Sequence, residues 1–384
     1  MQQGIIVSTL KEGKERRYYL DWLRIVATLL LIPYHSALIF KPHVIYSYYL
    51  ENSTTHPGFE LFIRFVNQWF MPLFFFIAGA AAKYSLDSRS KQEYCFERLK
   101  RLLIPFLFGI FVLLPPIGYF TFLNHHQNVK ISFLQYYPLF FKIDYKHING
   151  FTGTFTPGHF WFILYLIGFS FILLPFSDYL KTSNGQNLIK AITSLSHQPK
   201  VIIFLYVIPL TLARMTCLVY YNPIYYFLFF ILGYLFIFNQ QIEIIIEQNN
   251  TIALSFVLTL TIFLSFLDIS EFHLVYNFTL INVLIQLILS INSFCWLIVL
   301  LNFAKQYLNW SNRFVVYFNQ ASYPVYIVHM NFIIIIGFYT VQWDINIIFK
   351  FMFVTFASFL SILIFYESIK RFNLMRFLFG IKFN

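Results

Sequence analysis

Again and again this chain runs for about 20 residues with scarcely a charge, and no other feature limits its fold as much. Runs of that kind lie near 20–40, 61–82, 102–122, 159–179, 201–220, 223–239, 251–268, 274–303, 321–341 and 345–368. At 1.5 Å per residue, each is about long enough to cross the hydrocarbon of a bilayer as an α-helix. Lipid offers no partner for a backbone N–H or C=O, so a helix that satisfies itself is the form such runs take. The expectation is an all-α polytopic membrane protein of about ten transmembrane helices. The eighth run, at 30 residues, must tilt, kink or extend beyond the bilayer. Composition agrees: 59% of the 384 residues are hydrophobic and 11% charged, where soluble domains carry about 25% charge.

The formal net charge of +11 does not form the single basic patch of a nucleic-acid binder; Lys and Arg punctuate the ends of the apolar runs. Basic residues are retained on the cytoplasmic side. One set of loops holds Lys11, Lys14, Arg16 and Arg17, then Lys83 to Arg101, Lys181 to Lys200, Lys305 with Arg313, and Lys370 to Lys382, which is 19 basic residues. The opposite set holds seven, Lys41, Arg64, Lys130, Lys142, Lys146, Arg214 and Lys350. Both termini are therefore expected in the cytoplasm. The first run follows a basic stretch and lacks an A-x-A site, so it is expected to remain as a helix and not to be cleaved. The longest outward loop, 123–158, holds Gly150, Gly153, Gly158, Pro138 and Pro157, and is expected to cover or line a site. Cys95, Cys217 and Cys295 have no CxxC spacing and imply neither a metal site nor a disulfide framework. Without an internal repeat or a composition break, residues 1–384 read as a single membrane-embedded domain with no separate soluble domain.

Within the first run, YLDWLRIVATLLLIPYHSALIF, Arg24 and His35 are eleven residues apart, which at 100° per residue leaves them about 20° apart around the axis. Asp21 and Thr28 share the stripe. Arg24 lies about 6 Å in from Leu20, and His35 about 16 Å farther, past the midplane. Taken singly, Arg24 reads equally well as a residue that snorkels to the interface beside Asp21, and His35 as an interhelical hydrogen-bonding group. Together on one stripe they favour function, because a polar group at membrane depth belongs in the protein interior or a water-filled cavity. The chemistry that suits them is group transfer from an anionic donor. An arginine near the entrance binds phosphate bidentately, and a deeper histidine serves as general base on a hydroxyl or as a transient carrier.

These residues resemble the acyltransferase-3 family of integral membrane acyltransferases, whose hallmark is an arginine, ten residues and a histidine in the first helix; here that is RIVATLLLIPYH. The resemblance extends through RYYLDWLR, MPLFFFIAGAA (Met71 to Ala81), RLKRLLIPFLFG (Arg98 to Gly109), GHFWFILY (Gly158 to Tyr165) and SYPVYIVH (Ser322 to His329). The ending YESIKRFNLMRFLFGIK and the His-Trp pairing of GHFWF look more like the glucan biosynthesis protein C-like branch, which decorates periplasmic glucans. The resemblance implies an acyl-CoA donor from the cytoplasm, a hydroxyl of an extracytoplasmic glycan as acceptor, acetyl or succinyl as the group moved, and a place in the cell inner membrane. Catalysis falls to His35 and Arg24, with no bound cofactor and no metal. A succinyl carboxylate would call for a further cation, with Arg214 or Arg64 as candidates. Many glycan-modifying relatives carry an extracytoplasmic esterase-like domain that is not seen after the last helix here.

Other polar positions join as substrate-binding candidates. Asp21 belongs to the stripe. His159, Trp161 and Tyr165 open the fourth run, where interfacial anchoring is the plainer role. Tyr323, Tyr326 and His329 recur at i, i+3 and i+6 around Pro324, where packing and interhelical hydrogen bonding compete with a substrate role. Arg214 either snorkels or serves a site. Glu367 either binds substrate or pairs with Lys370 and Arg371 at the surface. His125, His126, Asp144 and His147 have no metal-ligand spacing. Gly79, among the alanines of MPLFFFIAGAAA, reads as a close helix crossing that shapes a cavity. Ten helices with buried polar residues would also suit a transporter or flippase for a glycan or lipid intermediate, for which inverted repeats and paired broken helices are the signs to seek.

Overall fold

A computed structural model describes residues 16–42, 49–126, 128–143, 153–195, 199–216, 222–266 and 279–381. Among the described residues all regular structure is helical. Helix α1 (Tyr18–Phe40) runs unbroken through Pro33. Helices α2 (Pro57–Asn67) and α3 (Phe70–Asp87) make one 31-residue crossing interrupted at Gln68 and Trp69. Helices α4 (Lys91–Arg98), α5 (Ile104–Phe108) and α6 (Leu114–His125) are joined by π-helical turns at Leu99–Leu103 and Gly109–Leu113 into a 35-residue crossing. After α7 (Phe133–Phe140), a 3₁₀ turn at Gly158–Phe160 leads into α8 (Trp161–Tyr179). Then come α9 (Ser183–Leu195), α10 (Pro199–Met215), α11 (Pro223–Phe238), α12 (Gln240–Gln248) and α13 (Asn250–Phe266). The chain closes with α14 (Leu280–Tyr307), α15 (Arg313–Thr340), α16 (Ile347–Ile369) and α17 (Asn373–Leu378).

Seven of these helices, counting the interrupted ones once, are long and apolar enough to cross a bilayer, or eight if the bent pair α11 and α12 is one span. Among the described residues the expected ten is not confirmed, and the reasons are local. Asn239 leaves the helical region, its side chain accepts the N–H of Gln241 and starts α12, and the chain turns by 110°. Helices α10 and α13 have 17 residues each, and the stretches that follow them, 217–221 and 267–278, lie outside the described residues. Cys217, Asp144, His147 and Gly150 also lie outside them. The long eighth run is the 28-residue α14.

Helix α1 is central: α2, α3, α14, α15 and α16 all pack against it. The tightest pairing elsewhere joins α3 to α11 through reciprocal glycines. A Cβ on Gly79 would lie 1.8 Å from the Phe230 carbonyl oxygen, and one on Gly233 would lie 1.9 Å from that of Phe76. Only glycine permits this backbone approach. Prolines elsewhere free carbonyls that other helices then take. Pro105 brings no N–H to the Arg101 carbonyl, and Tyr323 of α15 donates to it at 2.9 Å. Pro115 likewise releases the Phe111 carbonyl, which accepts from Tyr137 of α7 at 2.9 Å. Hydroxyl groups thus replace the missing ladder bonds and fix helix faces against one another.

Candidate active site

The N-terminal half of α1 opens on a cavity of about 340 Å³ lined by Arg16, Arg17, Asp21, Arg24 and Tyr84, with Leu20, Ile77, Ala80 and Ala81. Ala80 and Ala81 of α3 line this space, while Gly79 makes its close approach to α11 instead. Asp21 bridges two cations, Arg16 at 2.9 Å and Arg24 at 3.2 Å. Arg24 also donates to Asn319 of α15, and its Nε, though buried, has no hydrogen-bond partner among the described residues. Thr28, the next residue of the stripe, turns its hydroxyl back onto the Arg24 carbonyl at 2.8 Å. Arg17 pairs at 2.6 Å with the buried Glu243 of α12, which Lys305 also contacts at 3.2 Å. Cations thus outnumber carboxylates around the cavity, and a guanidinium with an unpartnered N–H is suited to an anion.

Near the other end of α1, His35 meets two more imidazoles. The His329 ring of α15 lies 5.0 Å from that of His35 and 5.0 Å from that of His159. His159 sits in the 3₁₀ turn before α8; its Nε2 is 3.0 Å from the Ile327 carbonyl, while its own carbonyl accepts from the Tyr326 hydroxyl. The two strands of contact lock α8 to α15. His329 is fully buried, with Nδ1 2.6 Å from the Tyr326 carbonyl. A ring nitrogen facing a carbonyl must carry the proton, so Nε2 of His329 presents a lone pair, and that atom has no hydrogen-bond partner among the described residues. Tyr34 packs edge-on to His35 at 5.0 Å and donates to Asn67 at 2.7 Å.

Of the residues expected from sequence, Asp21 and Arg24 meet at the cavity, and His35, His159, Tyr326 and His329 meet at the imidazole cluster. Tyr323, three residues before Tyr326, serves the Arg101 carbonyl instead. Trp161 and Tyr165 belong to an aromatic wall, 5.3 Å apart, with Tyr226 5.4 Å from Trp161. Arg214 lies over Tyr225 at 4.2 Å and donates to its hydroxyl at 2.9 Å. Arg64 pairs with Glu60 at 3.0 Å. Glu367 accepts from Tyr317 at 2.7 Å and pairs with Lys370 at 2.6 Å, the surface arrangement its neighbours implied. His126 stacks on Phe122 at 4.3 Å, and no cluster of metal-ligating side chains occurs among the described residues. Two asparagines that the sequence does not single out help hold the site. Asn319 accepts from Arg24, and Asn331 donates to the Leu113 carbonyl at 2.6 Å. Their signal is simple: both are amides inside an apolar helix that also carries His329.

A protein-family profile described as an acyltransferase domain matches residues 17–367. Among curated proteins, the glucans biosynthesis protein C of Escherichia coli strain SMS-3-5 is 25% identical over 346 residues, covering 85% of this chain and 84% of the relative. Its counterpart in Escherichia coli K12 is 24% identical over the same coverage. No solved structure matches the chain.

Proposed function

The chain belongs to the acyltransferase-3 family, and from that premise we propose an integral membrane O-acyltransferase that moves an acetyl or succinyl group from acyl-CoA to a hydroxyl of an extracytoplasmic glycan. The observation that carries this reading is the polarity of one helix face. Arg24 stands in a cation-lined cavity at one end, and His35 stands among imidazoles about 16 Å farther along. A nucleotide-bearing thioester is long and anionic at one end, with its reactive carbonyl at the other. With its phosphates held by Arg24 and its neighbours, the thioester would extend toward His35.

The loop charges support a cytoplasmic location for the Arg24 end and an outward location for His35. His35 then takes the proton of the acceptor hydroxyl as that oxygen attacks the thioester carbonyl; the C–S bond breaks and the thiol of CoA leaves with a proton. A two-step route, with the acyl group resting on His35, balances equally. The glucan-related names of the relatives support a glucan as the glycan. Arg64 and Arg214 are engaged by Glu60 and Tyr225, which weakens their case as holders of a succinyl carboxylate and favours acetyl. A transporter or flippase calls for paired discontinuous helices; among the described residues one pair is sharply bent.

The test is to replace His35 by alanine, verify that the protein accumulates in the membrane, and weigh the envelope glycans. Loss of the acyl mass is expected. Full acylation by the variant would sink the proposal.

A further inference from the structure

A second polar constellation lies apart from the Arg24–His35 line, where the α2–α3 crossing is interrupted. Gln68 there faces α14: Asn292 donates to the Gln68 side-chain oxygen at 2.7 Å, and Ser293 donates to the Gln68 carbonyl at 2.8 Å. Gln68, Trp69, Asn292 and Ser293 are each at least nine-tenths buried. Three polar atoms of this group have no hydrogen-bond partner among the described residues, namely Gln68 Nε2, Trp69 Nε1 and Asn292 Oδ1. Leaving one such atom buried is costly, and in a membrane interior there is no bulk water to relieve it. Three such atoms on neighbouring buried residues exceed what packing requires, since a glutamine and an asparagine could be leucines and fill similar volume.

The inventory of unused atoms defines the ligand. Gln68 Nε2 and Trp69 Nε1 donate; Asn292 Oδ1 accepts. Turning both amides over exchanges which residue donates and which accepts, but leaves one of each. An anion would satisfy the donors and leave the acceptor bare, and a cation would do the reverse. Hydroxyl groups do both. The surroundings are aromatic: the Trp69 and Trp296 rings lie 6.0 Å apart, with Phe65 5.5 Å from Trp296 and Phe70 5.8 Å from Trp69. Neutral amides beside indole faces suit a sugar ring, whose hydroxyls lie at its rim and whose C–H groups lie on its faces. The constellation is also next to the chemistry, because Asn67, the residue before Gln68, accepts from Tyr34, whose ring adjoins His35.

We propose that Gln68, Trp69 and Asn292 form a subsite for a neutral sugar ring of the acceptor, linked to His35 through Asn67 and Tyr34. This rests on the transferase reading for its acceptor but not for its binding chemistry. The test uses the full-length chain in lipid nanodiscs and a radiolabelled linear glucose oligomer as probe. Saturable binding is expected in the unaltered protein. In the double variant Gln68→Leu with Asn292→Leu, it should weaken by at least about tenfold, the loss of roughly one to two neutral hydrogen bonds. Binding of acetyl-CoA or succinyl-CoA and the melting temperature should not change, because both partners of the amide pair are replaced together. The inference is overturned if the unaltered protein binds no oligomer, if the double variant binds equally well, or if donor binding and melting fall in step with oligomer binding. Acyl transfer measured on the same samples separates the two ideas. Binding without transfer sinks the transferase reading and leaves the subsite; transfer with the oligomer's KM unchanged in the double variant sinks the subsite and leaves the transferase.

Discussion

The two ends of α1 solve the same problem in opposite ways. Both keep polar side chains inside a largely apolar bundle. At the Arg24 end, charge answers charge: Asp21 stands between Arg16 and Arg24, Glu243 between Arg17 and Lys305, and a cavity of about 340 Å³ gives access to the group. At the His35 end the partners are imidazole and phenol rings and backbone carbonyls, close-packed around the fully buried His329. The first arrangement attracts an anion from a distance and tolerates its charge. The second attracts nothing over distance, but presents neutral lone pairs that accept a proton where water is scarce. A donor recognised by charge at one end and consumed by proton transfer at the other would use both.

If that division is right, the two ends fail differently when altered. The largest effect is expected at His35. His35→Ala should lower the turnover of purified enzyme by about 10²- to 10⁴-fold with acyl-CoA affinity unchanged, measured by label transfer and by direct donor binding. An equal fall in donor affinity would break the division. Next is Arg24: Arg24→Gln should raise the KM for acyl-CoA by about tenfold to a hundredfold, the range of a charge-assisted hydrogen bond. Arg24→Lys should recover only part of this, since an ammonium lacks the planar fork. A loss in kcat alone would place Arg24 with the chemistry instead.

His329→Asn tests how far the imidazole cluster acts as a unit. Asparagine keeps a donor for the Tyr326 carbonyl but shortens the side chain and removes the Nε2 lone pair. Turnover should fall less than in His35→Ala, by about tenfold. In the double variant with His35→Ala, little further should be lost, because residues that act together are not additive. A full product of the two losses would mean that His329 works independently of His35.

The residues of the His35 end were legible from the sequence, though not their meeting, whereas at the Arg24 end Asp21, Arg24 and Thr28 were legible and Arg17, Tyr84, Glu243 and Asn319 were not. Helical geometry alone puts Asp21, Arg24, Thr28 and His35 on one face, and those four are where that geometry requires. Which foreign residues meet that face is a matter of tertiary packing, so Asn319 and the three-imidazole meeting could not be read from spacing. The i, i+3, i+6 pattern of Tyr323, Tyr326 and His329 looked like one stripe, yet it spreads over about 120° of helix. Its members accordingly serve three partners: the Arg101 carbonyl, the His159 carbonyl and the imidazoles. The Arg101 contact had a local cause, since Pro105 leaves that carbonyl without its N–H. The count of ten helices is not confirmed among the described residues for a related reason. Hydropathy integrates over a window and does not register a single asparagine such as Asn239, whose side chain ends one helix and caps the next.

The smallest expected effect needs no mutation. Screening at an ionic strength of 0.5 M shortens the Debye length to about 4 Å, from about 10 Å at 0.1 M. Arg16 carries more than half its side chain in solvent, with Asp21 beside it largely buried, so the rim of the cavity responds to salt while its floor does not. The KM for acyl-CoA should therefore rise by about twofold to fivefold between those conditions, through weaker attraction of the anionic donor. The KM for a neutral glucose oligomer should hold, because the residues around His35, Gln68 and Asn292 offer hydrogen bonds and ring faces in place of net charge. Parallel titrations of the two substrates on one preparation supply the comparison. If both constants rise together, salt acts on the fold or on the lipid and the ends of α1 are not electrically distinct; if only the donor constant rises, the charged end is the donor's end.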